Sequence, residues 1–137
     1  MNYGRIVLGG LLAGLIMNFG EFLLNGMVLA NQMNAFMTQH GFKDPGTNFM
    51  IAAVGLTFVL GIVAVWLYAL IRPRLGAGPK TAVLAALILW FAIYIYCGVI
   101  NGILFSFPTN ALLIGIVWGL VEYVIATIAG AWAYKEA

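Results

Sequence analysis

The chain alternates long apolar runs with short polar breaks. Four runs, at residues 6–29, 49–71, 81–105 and 110–134, can each cross a hydrocarbon core as a helix, which takes about 20 apolar residues. None alternates apolar and polar positions with a period of two, so helices are predicted rather than the strands of a β-barrel. The breaks carry turn and cap chemistry. Asp44-Pro45-Gly46 is a turn ahead of Asn48, the candidate cap of the second helix. Pro73 is expected to end that helix, because it has no N–H and restricts Arg72 before it. Gly76-Ala77-Gly78-Pro79 is a tight connector, and Pro108-Thr109-Asn110 opens the fourth helix with Thr or Asn as its cap. The first run is too long for the core of a signal peptide and carries Glu21, so it reads as a retained span. The expected fold is all-α: a polytopic membrane protein with four transmembrane helices in a single domain over residues 1–137.

Between the first two runs the periodicity changes. Leu29, Met33, Phe36, Met37 and His40 fall at helical spacing, and Asn31, Gln32, Asn34 and Gln39 take the other face. That pattern predicts a short amphipathic helix lying on the outer surface and closed by Gly41, either as an interfacial anchor or as a docking surface or lid.

Composition agrees with the pattern. Of 137 residues, 64% are apolar and 7% charged, against about 25% charged in soluble domains. A mean hydropathy of +1.06 cannot be hidden inside a water-soluble globule of this size. A soluble enzyme, a nucleic-acid binder and a disordered chain are thereby excluded, and a net charge of +2 leaves no electrostatic footprint for DNA or RNA. Arg5, Arg72, Arg74, Lys80 and Lys135 fall on the side that holds both termini, and Lys43 alone on the other. The positive-inside rule then puts both termini in the cytoplasm. Tyr3, Trp66, Tyr68, Trp132 and Tyr134 would form the cytoplasmic aromatic belt. Two short echoes, Asn25-Gly26 with Asn101-Gly102 and Trp66-x-Tyr68 with Trp132-x-Tyr134, fit a pair of parallel hairpin repeats.

Acids inside a membrane are rare and are functional candidates by default. Glu122 falls near the bilayer midplane and Glu21 about 5 Å further out, at 1.5 Å rise per residue. Asn18, Glu21 and Asn25 share one helix face, which Gly14 continues. In the fourth run Gly115, Gly119, Glu122, Ala126, Ala129 and Ala133 form a small-residue seam, with Gly130 one position off it. Gly10-x-x-x-Gly14 and Gly115-x-x-x-Gly119 let backbones approach closely in lipid, so the first and fourth helices are expected to pack with their acids inward. Thr57, Tyr94, Cys97, Asn101 and Tyr123 lie at similar depth and extend a polar layer. No Lys or Arg falls inside any run. The acids can therefore act as neutral packing groups bonded to Asn or backbone, share one proton, or hold a cation with Asn and Tyr oxygens. Contact with a partner subunit is a further use of them.

The remaining chemistry is sparse. His40 is the only histidine and reads as a surface residue, and Cys97 reads as a packing residue. Trp90 and Trp118 read as packing aromatics. There is no Gly-rich phosphate loop, nucleophile elbow or His/carboxylate metal cluster, so neither an enzyme nor a metal or cofactor site is expected. In size, helix count and Glu21 the chain resembles the small multidrug resistance transporters, which use a first-helix glutamate to exchange protons for cationic drugs. Its charge asymmetry, long first loop and Glu122 depart from their pattern, and that function is not carried over. A Gly-rich first helix, the amphipathic segment after it and an ending with Gly119-Leu120-Val121 and Gly130-Ala131-Trp132 make it similar to uncharacterised bacterial four-helix integral membrane proteins of the domain-of-unknown-function type. That resemblance implies no activity. Two functions remain: an oligomeric proton- or cation-linked transporter or channel of the bacterial inner membrane using Glu21 and Glu122, or a non-catalytic accessory subunit packed against a larger membrane complex. In either case the bilayer is the first partner, with a homo-oligomer or a larger complex beyond it.

Overall fold

The computed structural model describes residues 1–135. The fold is all-α, with no strand among the described residues. Helix α1 (Tyr3–Leu23) runs into a π-helical turn at Leu24–Val28. Then come α2 (Ala30–Gln39), α3 (Gly46–Leu75), α4 (Pro79–Trp90), a π-helical stretch at Phe91–Gly98, α5 (Val99–Leu104) and α6 (Thr109–Ala133). Four continuous helical segments are long and apolar enough to cross a membrane: Tyr3–Val28, Gly46–Leu75, Pro79–Leu104 and Thr109–Ala133. The amphipathic helix expected after the first span is α2. Its Phe36 is buried, its Asn31 and Asn34 are exposed, and Gly41 follows it with φ +68°.

Several helix ends differ from expectation. The second span starts at Gly46 rather than being capped by Asn48; Asp44 Oδ1 accepts the Gly46 N–H at 2.9 Å. Pro73 does not stop it. One missing N–H in the last turn costs a single hydrogen bond, and membrane helices tolerate that. The stop comes at Gly76, whose φ of +85° leaves the helix by a route that disfavours any side chain. Pro79 occupies the first turn of α4, where its lost N–H has no intrahelical partner. The fourth span has Pro108 at its cap position, with no side-chain cap from Thr109 or Asn110.

The core is concentrated toward the end of the bundle that holds the termini. Ile6, Ala13 and Met17 of α1 meet Ala64, Val65 and Tyr68 of α3, with Ala82, Ala85 and Ala86 of α4 and Ala126 of α6 around them. Small residues dominate because lipid supplies no hydrophobic drive between helices and association rests on close van der Waals contact. The same end is tied by polar groups. The Gly78 N–H donates to the Tyr68 hydroxyl at 3.2 Å, and the Thr81 hydroxyl donates to the Gly76 carbonyl at 2.7 Å. The Tyr68 and Tyr134 rings meet edge to face, 6.1 Å apart.

The other end is splayed. From Gly46 to Ala52 every residue of α3 is exposed, and a side chain added at Gly55 would meet nothing within 4 Å. Here α1, the third span and α6 stay together, with α2 reaching from the end of the first span to the turn before α6. Phe36 packs edge-on against Phe107 at 5.1 Å.

Candidate functional site

At the splayed end α1 and the third span face each other across a cavity of about 490 Å³. Glu21, Asn25, Tyr94 and Asn101 supply its polar groups. Met33, Phe36 and Met37 of α2 line it from one side, and Phe105 and Phe107 from the turn between the last two spans. It is therefore an apolar chamber with one acid in it.

The acid is held on both oxygens. The Tyr94 hydroxyl donates to Glu21 Oε1 at 2.6 Å, and Asn25 Nδ2 donates to Oε2 at 2.9 Å. Asn25 reaches it because residues four apart stack on one helix face. Tyr94 reaches it from the third span, seventy-three positions along the chain. The π-helical stretch Phe91–Gly98 carries Tyr94, and such widened turns recur at functional sites because they re-aim side chains. Behind it, the Tyr123 ring packs edge-on against Tyr94 at 5.3 Å.

Glu122 lies on α6 beyond this pair. It is 6% exposed, and both of its carboxyl oxygens are fully buried. It interacts electrostatically with Glu21. Its carboxyl lies against Gly20, where an added Cβ would collide with it, so glycine is what makes room for the acid.

The expected polar layer is thus divided. Glu21, Asn25 and Asn101 line one cavity, although Asn101 spends its amide on the Cys97 carbonyl at 2.8 Å. Tyr123 is buried behind Tyr94 rather than lining it. Asn18 turns to the other helix neighbour: its amide donates to the Gly14 carbonyl at 3.0 Å and to the Val54 carbonyl of α3 at 3.4 Å. Thr57 bonds back within α3, to the Ala53 carbonyl at 2.7 Å. Cys97 is exposed rather than packed inside.

The packing seams are also reassigned. Gly10 and Gly14 lie against α3, not α6: a Cβ on Gly10 would strike the Ile62 backbone, and one on Gly14 would come within 2.8 Å of the Phe58 backbone. On α6, Gly115 makes no close approach, whereas Gly119 lies under the Tyr94 ring. Gly130, expected one position off the seam, is buried against the Gly9 carbonyl and Val65. The inward face of α6 is therefore rotated toward Tyr123, Thr127 and Gly130. The two Trp indoles also do more than pack: Trp90 donates to the Ile116 carbonyl at 2.8 Å and Trp118 to the Gly20 carbonyl at 3.1 Å. Gly115→Leu should accordingly change stability by no more than about 0.5 kcal/mol. Gly119→Leu should lower it by about 1–3 kcal/mol, through overpacking that displaces Tyr94. Thermal unfolding of the two variants in detergent checks the difference, and equal tolerance would contradict the Gly119–Tyr94 contact.

Tyr94 and Trp118 are the residues that sequence reasoning undervalued as site formers. A polar tip within an apolar run was the available signal for both, because Tyr hydroxyls and Trp N–H groups take partners when buried. Comparison of the chain with protein-family models, curated proteins and solved structures finds no match.

Proposed function

We propose that this protein is a small proton- or cation-linked transporter or channel of the bacterial inner membrane, working as a homo-oligomer with both termini in the cytoplasm. The observation that carries this reading is Glu21, an acid in a membrane-depth cavity whose two oxygens are positioned by Tyr94 and Asn25. No Lys or Arg of this chain falls within the apolar run that carries Glu21, so a cation must come from outside the bundle. The Glu122 carboxyl lies against Gly20, the residue before Glu21, so a second acid stands beside the first. Protons and cations then compete for one pair of groups, which is the minimum that coupled exchange requires. The test is flux: purified protein in liposomes, given an imposed proton gradient, should move protons or an added cation faster than protein-free liposomes. Equal rates would remove the reading.

Orientation has its own test. In a Cys97→Ser background, a cysteine at Gly78 should react with an impermeant maleimide only from the cytoplasmic side, and one at Thr38 only from outside. The reverse pattern would overturn the placement of the termini.

A second reading is supported by the outer half of α3, which is exposed around its whole circumference between Gly46 and Ala52. A non-catalytic subunit of a larger complex would cover that face with another chain. Mass measurement after gentle detergent extraction separates the two readings: a homo-oligomer fits the first, and stoichiometric foreign chains fit the second.

A further inference from the structure

The polar side chains of the Glu21 cavity are Glu21, Asn25, Tyr94 and Asn101, and most of their donors are already used. The Tyr94 hydroxyl donates to Glu21 Oε1 at 2.6 Å. Asn25 Nδ2 donates to the Glu21 main-chain carbonyl at 3.1 Å and to Oε2 at 2.9 Å, which uses both of its hydrogens. Asn101 Nδ2 donates to the Cys97 carbonyl at 2.8 Å and keeps one N–H. Every one of these partners is an oxygen acceptor, so both amides must turn their nitrogens toward their own helices.

The oxygens are left unfilled. Those of the Asn25 and Asn101 amides accept from no group among the described residues. Each Glu21 carboxylate oxygen holds one of these hydrogen bonds and has room for about two. A ligand that suits this set brings several donors, together with a positive charge for Glu21. The walls decide the rest. A cavity of about 490 Å³ has the size of a site for an organic molecule. A hard metal cation takes about six oxygen ligands at short range, and Met33, Phe36, Phe105 and Phe107 supply no side-chain oxygen. A primary ammonium has three N–H donors and no acceptor, and like lysine it stays charged at neutral pH. A quaternary ammonium has the same charge and nothing to donate, so it would cover the Asn25 and Asn101 oxygens without bonding them. Sites built around hydrogen bonds reject analogues that leave their polar groups unpaired.

We propose that the ligand of the Glu21 cavity is a primary ammonium compound with an apolar body, its charge on Glu21 and its other N–H groups on the Asn25 and Asn101 oxygens. The assignment rests on the reading that this cavity takes a cation, and it specifies which kind.

The test is equilibrium binding to the full chain in detergent, measured by titration calorimetry. The probes are phenethylammonium and its trimethylated derivative, which share a body and a charge and differ in donors. The wild-type protein should bind the primary ammonium at least about tenfold more tightly. That comparison needs no variant, so it holds whatever a substitution does to folding. Asn101 bonds only within its own helix, and Asn101→Leu should bring the two affinities within about threefold by weakening the primary ammonium alone. Equal or tighter wild-type binding of the trimethylated compound would overturn the proposal and leave the cation reading standing, because aromatic walls can hold a quaternary cation by cation–π attraction. Binding of neither compound, with flux of an inorganic cation retained, would overturn it too. An unchanged preference in folded Asn101→Leu protein would also overturn it, by removing that oxygen from the contact. Selective binding without any flux would support the site and remove the transport reading instead.

Discussion

Glu21→Gln should leave the bundle folded and reduce cation-linked flux by about ten- to a hundredfold. The amide keeps the length of the side chain and one oxygen that can accept from Tyr94. Asn25 can turn its own amide so that its oxygen faces the new NH₂ group. The structural loss is the charge assistance of two hydrogen bonds in a half-buried site, and α1 keeps its packing against α3 at Gly10 and Gly14. The functional loss is larger. Gln cannot carry negative charge, so it neither attracts a cation nor exchanges a proton for one. A charge-assisted hydrogen bond is worth about 1.5–3 kcal/mol, and each 1.4 kcal/mol is a factor of about ten in affinity. Flux in liposomes together with unfolding in detergent checks both halves. Wild-type flux in a folded Glu21→Gln protein would show that the carboxyl serves assembly alone. Tyr94→Phe is the useful comparison, because it keeps the acid and removes only the hydroxyl that holds it, and it should give a smaller loss.

The largest effect on stability is expected at Gly61. A Cβ there would run into the Gly10 carbonyl and the Gly14 backbone nitrogen, and a Leu side chain has no route out. These are backbone atoms of a neighbouring helix, so relief requires α1 and α3 to separate along their whole contact. Overpacking in a well-filled core costs about 1–3 kcal/mol, and more when no side chain can yield. Gly61→Leu should therefore fall at or beyond the upper end of that range, seen as a lowered melting temperature in detergent or loss of monodisperse protein. Gly55→Leu, six residues earlier on the same helix and facing open space, should be tolerated. Similar losses at both positions would mean that α1 and α3 do not approach as closely as Gly10, Gly14 and Gly61 require.

These two outcomes also separate what the sequence made legible from what it hid. The four spans and the short helix after the first follow from hydropathy and period, which a single chain displays directly. Helix partners do not follow. Gly10 and Gly14 declare a close approach but not its target, and α3 answers them with Gly61, which belongs to no G-x-x-x-G pair in its own helix. Asn18 shares the sequence spacing of Glu21 and Asn25 yet bonds across to Val54, because a face shared along a helix is wide enough to touch two neighbours. Tyr94 stayed obscure for a related reason. Its rotation depends on the π-helical stretch Phe91–Gly98, and periodicity arguments assume the α-helical 3.6 residues per turn. Gly130 was misplaced by extending a strict seam down α6, whereas the helix turns its inward face from Gly119 toward Tyr123 and Thr127.

The concentration of small-residue contacts near the termini, with α3 standing free at its other end, makes the bundle mechanically graded along the membrane normal. The end closed by Ala64, Ala85 and Ala126 has little free volume and resists deformation, as close-packed interiors do. The end around Gly46–Ala52 has no such constraint. A change in bilayer thickness or lateral tension is met by helix tilt, at a cost of fractions of a kcal/mol per Å of mismatch. That tilt is taken up by the free end of α3, apart from the Glu21–Tyr94 contact, which joins α1 to the third span. The rigid end keeps the four spans in register.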